Sequence, residues 1–179
     1  MHGLTKLSMV LLLALGLRGT VATVPAFSPD SHRPEQPPLG EPLAIVVNRS
    51  NTVEDISSRE LHSVFLGERS HWSNGRRITL VMRNPGEPER KTILRDVCGM
   101  TEDQLKTHVL RGLFTGEILV SPKVLSTPSG VRRFIFNVPG AIGYLRASDV
   151  DASVKVVTID RLSPSDKDYK LHVLPHGVN

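Results

Sequence analysis

An α/β fold with a mixed sheet flanked by helices is the architecture this chain predicts, and three observations lead to it. Leu43 to Val47 (L-A-I-V-V) is a continuous apolar, largely β-branched run of the kind buried on both faces of a sheet. Short runs of similar character recur at Ile78 to Met82, Ala141 to Leu145, Val154 to Ile159 and Tyr169 to Leu174. Between them lie segments with helical apolar spacing and capping residues, and strands alternating with helices are the pattern of an α/β domain.

Ahead of the first strand, Lys6 is followed by the apolar run Leu7 to Leu17 and then by small residues at Thr20, Ala22 and Ala26. That order is the charged, apolar and cleavage-site arrangement of a secretory signal peptide. The run falls well short of the roughly twenty apolar residues that span a bilayer. Residues 1–26 are therefore expected to be a signal, cut after Ala22 or after Ala26, and the protein to be periplasmic or secreted and not membrane-spanning once cut. Cys98 is the single cysteine, so no internal disulfide can form, and its distance from the leader argues against a lipoprotein anchor there. Residues 27–42 hold five prolines and no periodic apolar pattern, which predicts an extended spacer. Residues 43–179 fit one domain.

The chain carries 22 Lys and Arg against 18 Asp and Glu, and loss of the leader would remove Lys6 and Arg18 without removing an acid. The mature protein is then only mildly basic. Nucleic-acid surfaces combine clustered basic residues with stacking aromatics. Here Arg76-Arg77 and Arg132-Arg133 are isolated pairs and aromatics make up 4% of the chain, so no nucleic-acid partner is expected.

After the first strand, Asn48-Arg49-Ser50-Asn51 is a polar turn. Ser57 and Glu60 have capping-box spacing, and Leu61, Val64 and Phe65 form an apolar face, which predicts a helix over 57–66 stopped by Gly67. Trp72 precedes the turn Ser73-Asn74-Gly75 and is expected to anchor that turn on the core. The strand Ile78 to Met82 places Arg83 at its carboxyl end, where open α/β sheets carry ligand-binding loops. A helix over about 88–98 follows, with Ile93, Leu94 and Val97 inward and Gly99 as its stop. Thr101 and Gln104 form a second capping box, opening a helix expected to bury Leu105, Val109, Leu110 and Leu113 and to end at the glycines 112 and 116. Ile118 to Val124 is ambiguous between helix and strand signals, interrupted by Ser121-Pro122. Pro128 at the first helical position begins a helix that reaches about Asn137, and Pro139 prevents its continuation.

No catalytic constellation is visible. The histidines stand at 2, 32, 62, 71, 108, 172 and 176, without the short spacings of a zinc site, and no G-x-S-x-G elbow occurs. Cys98 has no activating neighbour in the sequence and reads as a small buried apolar side chain. The expectation is a protein that is not an enzyme and uses no metal or cofactor.

Two segments carry a resemblance: E-L-H-S-V-F-L-G-E-R-S-H-W-S-N-G from Glu60 to Gly75, and P-G-A-I-G-Y-L from Pro139 to Leu145. Together they resemble the periplasmic phosphate-binding proteins, the solute-binding components of bacterial phosphate ABC transporters. The resemblance runs from about Leu43 to Leu145 and implies a single lobe of a type II periplasmic-binding-protein-like fold, corresponding to the second lobe of two-lobed relatives. Members of that family place an Arg at the end of the strand after the Trp-containing turn, then D-G-S-G-T opening a helix, whose hydroxyls and N–H groups hold phosphate. The matching stretch here is R-N-P-G-E-P-E, from Arg83 to Glu89. By this resemblance Arg83, Asn84 and Gly86 are the candidate ligand-binding residues, whereas Glu87, Pro88 and Glu89 replace the family's Ser, Gly and Thr. It implies a non-enzymatic binder of phosphate or another small anion, with the membrane component of an ABC transporter as partner. The departures at 87–89 imply the alternative of a cell-envelope interaction or scaffold domain that has lost its ligand. In P-G-A-I-G-Y itself, Gly140 and Gly143 are expected to serve backbone conformation and close packing, and Tyr144 to lie in the core.

Overall fold

The computed structural model describes residues 40–173. The expected signal, the spacer up to residue 39, His2, His32, Leu174 and His176 lie outside the described residues.

The sheet consists of β1 (Glu41–Asn48), β2 (Asp55–Ile56), β3 (Thr79–Arg83), β4 (Lys123–Leu125), β5 (Ala141–Arg146), β6 (Val154–Ile159) and β7 (His172–Val173). Its order is β2-β6-β1-β5-β3-β4, with β7 paired to the beginning of β1. Strand β1 runs antiparallel to β5 and β6, while β3 runs parallel to both β5 and β4, so the sheet is mixed as the sequence predicts. β1 lies in the middle, and each residue from Leu43 to Val47 is at most 1% exposed. That is why the run shows no polar alternation: both of its faces are covered. The strand begins two residues before that run, because Glu41 and Pro42 pair with Val173 and His172. Proline is tolerated near a strand end, where one missing donor interrupts little of the ladder.

On one face Leu43, Ile45, Val47, Leu80, Met82, Ile142 and Tyr144 pack in one core with residues of α1 (Ser58–Phe65), α2 (Pro88–Ile93) and the π-helical turn Leu94–Cys98. On the other, Ala44, Val46, Val81, Ala141 and Leu145 pack against Val131 and Ile135 of α4 (Pro128–Asn137). α3 (Glu102–Thr115) follows the π turn. Gly143 sets how closely α4 approaches, since a Cβ there would lie 3.1 Å from Ile135 Cδ1 and 3.2 Å from Val81 Cβ.

Both capping boxes form: Ser57 with Glu60 at α1, and Thr101 with Gln104 at α3. The two segments that carry the resemblance are bonded to each other. The indole N–H of Trp72 donates to the Gly140 carbonyl at 3.0 Å, and Trp72 is buried as expected of an anchor. Gly140 is required by contact, because a Cβ would stand 2.0 Å from the Arg77 carbonyl oxygen.

Three expectations are corrected. α3 continues through Gly112 and ends at Gly116, which takes the left-handed conformation. Its Leu110 and Leu113 do not face the core but are 49% and 39% exposed. The inward stripe is Leu105, the partly buried Val109 and Gly112, because Ile118 folds back onto the helix and donates its N–H to the Gly112 carbonyl at 3.0 Å. Finally, among the described residues of the last predicted strand, only His172 and Val173 pair in the ladder. Tyr169 is buried without it, donating its O–H to the Leu43 carbonyl at 2.8 Å.

Candidate functional site

Arg83 is the last residue of β3, beside the carboxyl end of β5 and the beginning of β1. Its backbone is fixed from two sides. The Arg83 N–H donates to the Tyr144 hydroxyl at 2.9 Å, and Arg90 Nη1 donates to the Arg83 carbonyl at 2.8 Å. Tyr144 is thus a core side chain that supports the site from below, and burial pushes its phenol above the ordinary value.

The next four residues make a tight turn. The Glu87 N–H bonds the Asn84 carbonyl at 3.3 Å, with Pro85 second and Gly86 third at φ +88°. Proline followed by a positive-φ glycine is the requirement of a type II turn, which explains why Gly86 is kept here whatever else it does. Pro88 then occupies the opening of α2, where the missing N–H costs no helical bond.

The Arg83 side chain is 8% exposed, and its Nη2 lies 3.5 Å from a Glu87 oxygen. Its Nε and Nη1 are buried and have no hydrogen-bond partner among the described residues. The other charges nearby are more fully paired. Arg90 makes a two-pronged pair with Glu102, at 2.8 and 2.6 Å. Arg146, at the end of β5, bonds Glu89 through Nε and Glu41 through Nη1, the latter at 3.0 Å. Burial disfavours the Arg146 charge, yet Glu89 and Glu41 outweigh it and hold the guanidinium above its ordinary value. Glu89 is 9% exposed, and its second oxygen, Oε2, is also buried without a partner.

Of the three residues singled out by resemblance, only Arg83 presents a buried functional group; Asn84 is half-buried and Gly86 lies exposed at the turn. Sequence reasoning missed Arg90, Glu102, Arg146 and Glu41, which complete the cluster. The only sequence signal for Arg146 was its position directly after the buried run Ala141 to Leu145, the same relation that Arg83 bears to β3. The cluster holds three guanidinium groups and four carboxylates. Glu87 is the carboxylate that faces Arg83, and it is 36% exposed.

Among the described residues a cavity of about 640 Å³ lies elsewhere, between α1, the π turn and the end of β6. Two polar pairs line it: Arg95 pairs with Asp96, and Asp160 accepts from the Ser58 N–H and hydroxyl. Cys98 is buried at 3% exposure, with its thiol pushed up to about 12 by burial, which makes it a packing residue.

The chain is 29% identical over 137 residues to the phosphate-binding protein PstS of Bacillus subtilis, an alignment covering 70% of this chain and 38% of that protein. Its fold is similar to that of a putative phosphate ABC transporter substrate-binding protein with bound phosphate from Clostridium perfringens, with a TM-score of 0.62 at 20% identity over 74% of this chain and 53% of that one. It is also similar to an ABC-type phosphate transport receptor from Vibrio cholerae, with a TM-score of 0.55 at 20% identity over 71% and 49% of the two chains. PstS from Borrelia burgdorferi gives a TM-score of 0.57 at 12% identity, over 71% and 50%. No family model matches the chain. The chain thus spans about half the length, or less, of these proteins. The resemblance carried by Glu60–Gly75 and Pro139–Leu145 is one of sequence and of fold, and the fold is that of a single lobe of such a binding protein.

Proposed function

We propose that this chain is an exported, non-enzymatic solute-binding lobe of the phosphate-binding kind, and that a small oxyanion, inorganic phosphate first among them, makes its contact at Arg83. One observation carries the reading. The Arg83 guanidinium is buried at the carboxyl end of β3, with two nitrogen donors that meet no partner among the described residues. A buried donor left unpaired costs about 1–3 kcal/mol, and more when charged, so the arrangement favours an acceptor arriving there. Arg is well suited to that task, because its rigid N–H groups match the oxygens of phosphate. In this reading Asn84 and the turn amide of Gly86 supply the neighbouring contacts, and Glu87 serves as an internal counter-anion that the ligand displaces. The similar proteins, described as phosphate-binding, support the ligand class, and the membrane component of an ABC transporter is the partner that follows from the same similarity.

A second reading is a cell-envelope interaction domain without a ligand. The specific observation favouring it is the surplus of carboxylates around Arg83, where an anion has to enter against four acidic groups.

Calorimetric titration of the protein with phosphate, sulfate and a dicarboxylate separates the two. The binder reading expects heat with phosphate in the wild type and none in an Arg83→Met variant of unchanged helix content. Absence of heat with every anion at concentrations well above millimolar would leave only the second reading.

A further inference from the structure

The Arg83 cluster lacks acceptors and donors at once. Among the described residues, Arg83 Nε and Nη1 are buried donors without an acceptor, and Glu89 Oε2 is a buried acceptor without a donor. Both side chains are nine-tenths buried or more, at 8% and 9% exposure. They lie about one hydroxyl. Burial pushes the Tyr144 phenol up; the Arg83 N–H bond and the charges of Arg90 and Arg83 oppose that rise, and Glu89 adds to it. An inorganic dianion brings oxygens for Arg83 but no positive charge. The cluster already holds four carboxylates against three guanidinium groups, one negative charge in excess before any ligand arrives. Like charges brought together away from water repel strongly. Occupying Arg83 also strips Glu87 of its partner, because Arg83 is the one cation at ion-pairing distance from Glu87 among the described residues. Glu87 is 36% exposed and so stands on the solvent side of that pair.

We propose that the ligand of this site is an amine-bearing phosphate monoester or phosphonate, whose phosphoryl oxygens meet the unpaired nitrogens of Arg83 while its ammonium group replaces Arg83 as the partner of Glu87. The proposal rests on the oxyanion reading of Arg83 and names the class of oxyanion. Binding is then an exchange of partners: one ion pair, Arg83 with Glu87, becomes two, and the ligand's own cation offsets part of the charge it brings in. The chain between phosphoryl and ammonium groups has to be short, because Arg83 Nη2 and the Glu87 carboxylate are 3.5 Å apart. An ammonium group carries three donors, so the unpartnered Glu89 oxygen adds to the preference for a ligand that can donate. The same chemistry occurs in free aminoalkyl phosphates and in phospholipid headgroups. A monoester keeps all its terminal oxygens for the two unpaired Arg83 nitrogens, whereas a headgroup diester gives one up to its second ester bond, which favours the free monoester.

The test is calorimetry of the full chain with phosphoethanolamine, ethyl phosphate and inorganic phosphate. In the wild type, phosphoethanolamine is expected to bind about two- to fivefold more tightly than ethyl phosphate, the range that a partly exposed ion pair supplies. In Glu87→Gln that preference is expected to vanish, although inorganic phosphate binds more tightly there, and Glu87→Asp is expected to keep part of it. A change in fold or stability would move both esters together, so their ratio reports the ammonium contact alone. Glycerophosphoethanolamine, with the ammonium group on a diester, is expected to bind more weakly than phosphoethanolamine; equal or tighter binding would overturn the monoester in favour of a lipid headgroup. Equal affinities for phosphoethanolamine and ethyl phosphate in the wild type, or an undiminished preference in Glu87→Gln, would overturn the proposal while heat with inorganic phosphate left the Arg83 reading in place. Absence of heat with every compound would remove the Arg83 reading and the proposal with it.

Discussion

Gly140 illustrates how much a single position can carry without chemistry. Its missing side chain lets the Arg77 carbonyl approach to where a Cβ would be 2.0 Å away, and its own carbonyl accepts from the Trp72 indole and the Thr79 N–H. Gly140→Ala forces either the strand or the turn to move, and we expect a loss of about 3 kcal/mol, read as a lower urea midpoint at unchanged slope. Trp72→Phe keeps most of the ring's burial and leaves the Thr79 bond in place, so its loss should be nearer 1 kcal/mol plus the packing change. Equal midpoints for Gly140→Ala and the wild type would show that this contact is not a constraint. Gly86 differs in kind: a Cβ there would meet nothing within 4 Å, and only its positive φ demands glycine. The P-G-A-I-G-Y segment could be read from sequence as structural, but which glycine met which backbone atom could not, because Arg77 reaches Gly140 only through the folded turn.

Helices α1 and α3 show where local signals suffice and where they fail. Each capping box was legible because its donor and acceptor lie three residues apart, and both form. At α1, the Arg69 guanidinium and the Ser57 backbone and hydroxyl hold the Glu60 carboxyl below its usual value. A depressed carboxyl contributes stability above its unfolded pKa and loses it as the pH falls through the folded one. Glu60→Gln should therefore flatten the acid side of the stability curve below about pH 4.5 while costing up to about 1 kcal/mol at neutral pH. A curve of unchanged slope would remove Glu60 from the account. In α3 the helical period was read correctly but its inward face was displaced, since the partner that decides it, Ile118, comes from a segment without a periodic signal. Gly112→Ala would bring a Cβ to 2.5 Å from Ile118 Cγ1 and is expected to cost about 1–3 kcal/mol, whereas Leu110→Lys, on the outward face, should change stability by less than about 0.5 kcal/mol. Comparable losses for the two would restore Leu110 to the core.

Residues 40–173 form one lobe of a binding-protein fold, built around a central strand covered on both faces, with charged residues gathered at one end of its sheet. The fold class and the position of Arg83 were legible because a continuous apolar run and a strand's carboxyl end are properties of short stretches. The pairing of Arg146 with Glu41 and Glu89 was not, since those residues meet only through the antiparallel register of β1 and β5 and the return of α2. That hidden network is what makes Glu87 the carboxylate left to compete for Arg83. Phosphate calorimetry of the wild type beside Glu87→Gln tests a ligand at Arg83 most directly. Binding is expected in both, tighter in Glu87→Gln by up to about fivefold, because a partly exposed ion pair contributes up to about 1 kcal/mol. Absence of phosphate heat in both proteins, or an affinity that Arg83→Met leaves unchanged, would contradict a ligand at Arg83.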